Sequence, residues 1–213
     1  LFSIGNLHAD KGFAVITDLE GDVYVKLASD KEESFAEIDM ELKEGDEIYT
    51  KETGKVDLIF DDDNTIVRLC ENSRLVIRKI EKEKETRSSL IELLKGTVIN
   101  IINKVKGVSN SFEVKTPSVV AAVKGTEFAV EAGDKESFVG VFDGEVKVAG
   151  LDASGNKLHE VPVQKDREVK VMFNRRDYLP QILSWRMKQK KEMRDTVMKN
   201  LHTYQRLKQT GML

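Results

Sequence analysis

The densest cluster of metal-seeking side chains in this 213-residue chain is Asp61-Asp62-Asp63-Asn64. Grouped carboxylate oxygens suit a hard cation such as calcium. The twelve-residue calcium-loop pattern fails, however: no glycine stands at its sixth position and no glutamate at its twelfth. The run therefore reads as a solvated hairpin tip. The histidines, His8, His159 and His202, are scattered, and no pair has ligand spacing or a nearby cysteine, so no zinc site is predicted. Cys70 is the single cysteine, which excludes an internal disulfide. It shares a face of an alternating run with Ile66 and Arg68 and reads as a half-buried structural thiol. There is no phosphate loop, dinucleotide fingerprint or nucleophile elbow. The remaining acids gather in turns, where no apolar pocket raises a carboxyl pKa. The expectation is a chain without catalytic residues, metal or cofactor.

The elements around these residues are mostly short strands. Hydrophobic content of 40% suffices for an ordinary core, and charged content of 33% implies a well-solvated surface. The net charge of −3 hides an asymmetry. Residues 181–213 carry a net +6 and the other 180 a net −9. The overall charge predicts no affinity for nucleic acid, and no apolar run is long enough to span a membrane. The chain begins at Leu1, which is read as a processed or trimmed form.

Residues 1–12 are expected to be irregular and 13–173 to form one all-β domain. Phe13–Thr17 and Asp22–Leu27 read as a hairpin about Glu20-Gly21. Val56, Leu58 and Phe60 share one face of the next strand, and Leu75, Ile77 and Ile80 are partly buried with a slip in parity. Glu81–Arg87 reads as a charged loop tip. Leu90–Leu94 and Val98–Ile102 flank a turn at Lys95-Gly96, and Asp143-Gly144 is a hairpin signal. Turn signals every 8–12 residues mean a sandwich, roll or solenoid. A charged residue followed by glycine recurs at Glu20-Gly21, Glu44-Gly45, Lys95-Gly96, Lys124-Gly125 and Asp143-Gly144, at uneven intervals.

The centre of this domain is Ser111–Ala132. Phe112 and Val114 share a face, Val119–Val123 is a short buried run, and Phe128 and Val130 share a face again. Pro117 pushes Thr116 into an extended conformation, and Gly125 is free to take a positive φ. The segment TPSVVAAVKGTEFAV resembles the signature of the FecR domain family. The likeness extends over Leu42–Thr50, Val56–Ile77, Leu90–Lys104 and Val139–Val148. The family's usual arginine is replaced by Lys124, and its usual Asp-Gly-Ser by Asp63-Asn64-Thr65; neither change threatens the fold. On this resemblance Thr116, Pro117, Gly125, Thr126, Glu127 and Phe128 are structural motif residues. It implies a mainly β, irregular β-solenoid-like or jelly-roll-like FecR-type domain, followed here by a long C-terminal α-helix.

Residues 174–180 form a polar joint ending in Pro180, where a helix can start, 181–208 a basic amphipathic helix, and 209–213 a tail. A helix of about 28 residues would be about 40 Å long, enough to project beyond a small β domain. Met193, Val197, Leu201 and Tyr204 form a stripe. Three readings are open: the stripe packs back on the domain, it docks with Trp185 onto a partner, or the helix lies on an anionic membrane surface. Trp185, Met193, Val197, Leu201 and Tyr204 are the expected partner-binding residues.

The resemblance implies a periplasmic or exported protein, its signal peptide removed, that contacts envelope protein partners through the β body and the helix. As read, the chain has neither the cytoplasmic segment nor the membrane helix of the family's transmembrane iron-uptake regulators. A free-standing domain is therefore expected, and direct sigma-factor control is not carried over. The first expectation is a non-catalytic interaction module serving as a structural or assembly component of an envelope complex, such as an appendage or flagellar sheath. The alternative is a signal-sensing or regulatory domain that binds a ligand or an outer-membrane receptor. A polysaccharide-binding domain is the third and would need exposed aromatics on a concave face.

Overall fold

The structure is a computed structural model that describes residues 10–11, 13–60, 65–83, 85–104 and 107–212. The Asp61–Asn64 tip and residues 1–9 and 12 of the expected irregular N-terminus lie outside the described residues. The strands are β1 (Asp10–Lys11), β2 (Ala14–Glu20), β3 (Val23–Lys26), β4 (Ser34–Phe35), β5 (Glu41–Leu42) and β6 (Glu47–Thr50). They continue with β7 (Lys55–Phe60), β8 (Thr65–Leu69), β9 (Arg74–Lys82), β10 (Thr86–Ile102), β11 (Ser109–Lys115) and β12 (Val119–Val123). The last are β13 (Glu127–Ala132), β14 (Glu136–Asp143), β15 (Glu145–Leu151), β16 (Lys157–Gln164), β17 (Arg167–Met172) and β18 (Gln181–Ile182), before the helix α1 (Trp185–Gln209).

The strands form two stacked sheets. Sheet A runs β4-β3-β6-β9-β10-β11-β12-β15-β16, with β1 beside the far end of β9. Sheet B runs β5-β2-β7-β8-β10-β13-β14-β17-β18. The long β10 belongs to both: Thr86–Lys95 pairs in sheet A and Gly96–Ile102 in sheet B. Among the described residues no ladder joins the outer strands of one sheet to those of the other, so the fold is open at both ends. Residues of period two fill the space between the sheets, as the alternation of Val56, Leu58 and Phe60 predicts. Phe60 and Phe112 meet edge to face from opposite sheets, with ring centroids 5.9 Å apart. The parity slip near Ile80 is a register shift opposite Leu90 and Ile91.

Three expected turns are corrected. Glu20-Gly21 is not a hairpin turn, because β2 pairs in sheet B and β3 in sheet A. Asp143-Gly144 likewise carries the chain from β14 in sheet B to β15 in sheet A. Lys95-Gly96 does not separate two strands but bends β10 from one sheet into the other. All five charged-residue–glycine pairs stand at such changes of sheet, and all five glycines have positive φ. A side chain at Gly96 would lie 2.1 Å from Ser73 Oγ, because this bend rests on the β8–β9 corner. The corners also bond to one another: Lys51 N–H donates to Asp22 O at 3.0 Å, and Asn72 N–H to Lys51 O at 3.0 Å. Stacked corners joining two sheets give the expected irregular solenoid-like build.

Two boundaries also shift. Asp10 and Lys11 form strand β1 within the expected irregular start. The helix begins at Trp185 rather than Gln181, because Gln181 and Ile182 pair with Glu168 and Arg167 as β18.

Candidate functional site

The family-motif residues flank β12, with Thr116 and Pro117 at its start and Gly125 to Phe128 beyond its end. Thr116 Oγ1 accepts the N–H groups of Ser118 at 3.2 Å and Val119 at 3.0 Å, which closes the tight turn between β11 and β12. The same hydroxyl lies 2.8 Å from Ser137 Oγ, and Ser118 Oγ donates to Ser137 Oγ at 2.7 Å. All three hydroxyls are buried, so each needs a partner, and they supply one another. Pro117 sits exposed at the turn. Gly125 has φ +75°, and a side chain there would meet the stem of Lys104 at 2.2 Å. Thr126 Oγ1 donates to Glu145 O at 3.0 Å, and Phe128 is in the core. Glu127 points outward and binds Arg194 of α1 through two contacts of 2.7 and 2.8 Å.

That pair belongs to a larger contact, because α1 lies along the outer face of sheet B. Ser184 caps the helix by accepting Met187 N–H. Glu168, buried, accepts from Ser184 N–H at 2.9 Å, Ser184 Oγ at 2.8 Å and Gln181 Nε2 at 3.1 Å, which anchors the cap to β17. Met187 then packs with Leu183 against Ala129, Ile99 and Cys70. Gly140 lies directly below: a Cβ there would be 3.0 Å from Met187 Sδ. Cys70 is buried rather than half-buried as expected, and that burial pushes its thiol pKa up to about 11.

Further along, Val197, Leu201 and Tyr204 pack on Ile59, Ile66 and Ile101. Charged bonds flank this contact. Arg186 reaches Glu131 at 2.9 Å and Lys190 reaches it at 3.4 Å; Lys191 reaches Asp166 at 2.8 Å. Tyr204 and Lys208 both donate to Asp39, and the tyrosine hydroxyl, ahead of the lysine, holds the Asp39 carboxyl below its ordinary value. The basic tail thus complements the acidic body within one molecule.

The expected partner-binding stripe is corrected accordingly. Val197, Leu201 and Tyr204 are buried against the protein's own sheet, so that face is already covered. Met193 is 37% exposed because the seam runs through Met187, Lys190, Arg194, Val197, Leu201 and Tyr204, one position away from it. Trp185, 74% exposed, remains available to solvent. The two cations inside the seam hid it from a search for apolar spacing. They face Glu131 and Glu127, four positions apart on the outer side of β13.

Sequence reasoning also missed a polar cluster beneath the middle of α1. Arg68 and Asp57 form a buried bidentate pair, both bonds 2.6 Å. Asn200 Nδ2 donates to Asp18 at 2.6 Å and to Asp57 at 3.3 Å. Burial, and then the nearby Asp57, raises the Asp18 pKa above the usual carboxylate range. The available signal was Arg68 alternating with Ile66 and Cys70 in a strand buried on both faces. A charge there demands a buried partner.

Among the described residues no group of three or more His, Cys, Asp and Glu gathers to hold a metal ion, and no helix is long and apolar enough to cross a membrane. No curated protein matches the chain. Two solved crystal structures, both of a "putative anti-sigma factor" from Parabacteroides distasonis ATCC 8503, are similar at 20% identity and a TM-score of 0.49. Each similarity covers 64% of this chain and 59% of the other, so it spans less than two thirds of those proteins. The model of the FecR protein family matches residues 46–147, from β6 through most of β15, and includes the whole Thr116–Phe128 motif. Through that region the chain carries a FecR domain.

Proposed function

We propose that this protein is a non-catalytic regulatory module that receives a signal by binding and passes it on by protein contact. The FecR domain carries this reading, since the family's regulators work through protein partners. The geometry fits: the motif residue Glu127 is clamped by Arg194, so the motif strand and α1 are mechanically joined. A signal that altered either element would be felt by the other. A structural or appendage role draws no support from the family match and is set aside. In this reading the domain works in the periplasm, and its partner is an envelope receptor or regulator met through surfaces that α1 leaves free.

The test is in-cell crosslinking and capture with the full chain and with Glu127→Ala, read by mass spectrometry. Capture of a receptor or regulator that Glu127→Ala weakens without unfolding the domain is expected. Capture of appendage or sheath subunits alone, or of no protein, would overturn the reading.

A further inference from the structure

A cleft of about 460 Å³ opens between the middle of α1 and the first strands of sheet B. Asp18, Glu20, Lys55 and Arg68 line the sheet side; Met193 and Asn200 line the helix side. The volume lies in the range used by small ligands. Its charge is out of balance. Arg68 is committed to Asp57 by two bonds of 2.6 Å. Lys55 is shared between Glu20 at 3.6 Å and Glu71 at 3.2 Å. Two cations therefore serve four carboxylates. Asp18 is the one left over: its nearest donor is the neutral Asn200 amide at 2.6 Å, and the Arg68 guanidinium comes no nearer than 3.9 Å. Burial, ahead of the neighbouring Asp57 carboxylate, raises the Asp18 pKa. Opposite these acids, the part-exposed Met193 offers a polarisable apolar wall, the kind of surface that adapts to varied hydrocarbon shapes.

We propose that this cleft binds a small organic cation, an ammonium or guanidinium group on a short apolar body, with its head between Asp18 and Glu20 and its body along Met193. The proposal rests on the sensing reading above and gives it a ligand class. A bare metal ion is too small to touch both walls of a cleft this size. An anion would meet the excess carboxylates. Because one wall is α1 and the other is sheet B, an occupant touches both and favours the docked helix over any released state by its difference in affinity for the two.

The experiment is calorimetric titration of the full chain in physiological salt with agmatine and with n-butylammonium, against n-butanol and magnesium chloride. Saturable binding of at least one cation, a higher melting temperature on binding, and no response to n-butanol or magnesium are expected. Asp18→Asn should weaken binding by at least about tenfold while the circular dichroism spectrum is kept. Glu20→Gln serves as a second variant, because its side chain is exposed and is not needed for folding. No cation binding, equal binding to both variants and the parent chain, or equal competition by magnesium would overturn the proposal. Cation binding without partner capture would overturn only the regulatory reading, and capture without cation binding only the cleft.

Discussion

Sheets A and B share one core and differ on their outer faces. On sheet A, Glu47 meets Arg74, Glu92 meets both Arg78 and Lys115, and Lys147 meets Glu160, so opposite charges pair across neighbouring strands. Among the described residues no element covers this face. On sheet B, Ile59, Ile66, Ile99 and Ile101 project outward among a few acids, and α1 covers them. Exposed ion pairs stabilise by roughly 0–1 kcal/mol each, so the ladder on sheet A chiefly keeps that face wet. Burying Met187, Val197 and Leu201 contributes about 1.5–3 kcal/mol apiece, so sheet B depends on its helix. The aromatic residues on sheet A do not change this contrast. Tyr24 stacks on Tyr49 with centroids 5.2 Å apart and tilts against Phe35 at 4.7 Å, and Lys51 and Arg74 lie over the tyrosine rings. The ring faces are turned on one another rather than laid out for a sugar.

The comparison is broken most severely by replacing Val197 and Leu201 together with Asp. Two charges would then be forced against Ile59, Ile66 and Ile101. The expected result is loss of more than about 4 kcal/mol and fast hydrogen exchange over β7, β8 and the second half of β10. An unchanged melting temperature would show that α1 is not part of the folded unit. Arg68→Ala strands the buried Asp57 carboxylate and should cost about 3–5 kcal/mol by denaturant titration, whereas a joint apolar replacement of Arg68 and Asp57 should cost much less. Gly125→Val forces a branched side chain to φ +75° against Lys104 and should cost more than about 1 kcal/mol.

Asp18 gives a pH test. Its folded pKa lies above the unfolded value, so the fold favours the protonated form, and stability falls as pH rises through the carboxylate range. Asp18→Asn should therefore melt slightly higher than the parent at pH 7 and level with it near pH 3; a lower melting temperature at pH 7 would contradict the sign. The smallest effect belongs to sheet A: Arg78→Ala should cost at most about 0.5–1 kcal/mol, less in high salt. A loss as large as that of Arg68→Ala would erase the distinction between the two faces.

Much of this was legible from local pattern. Alternation identified the inward residues of β7, β11 and β13, because a strand's side chains alternate whatever it packs against. The positive φ at Gly125 and the compact turn at Thr116-Pro117 follow from residue chemistry alone. The gap between the basic tail and the acidic body was visible in composition, and it became the contact between α1 and sheet B. The stripe on α1 was misread at Met193 because Lys190 and Arg194 occupy seam positions, and a charged residue reads as outward unless its partner is known.

The sequence by itself determined that there are many short strands, where the chain turns between them, and that a basic helix follows. Only the tertiary structure decided which turns are hairpins and which are corners. A positive-φ glycine permits either, and the choice depends on whether the next strand finds its ladder in the same sheet or in the opposite one. The tertiary structure likewise decided that Glu127 meets Arg194, 67 positions away, and that Asn200 meets Asp18, 182 positions away, beside Asp57 and Arg68, because residues so distant in the chain are brought together by packing and not by any local preference.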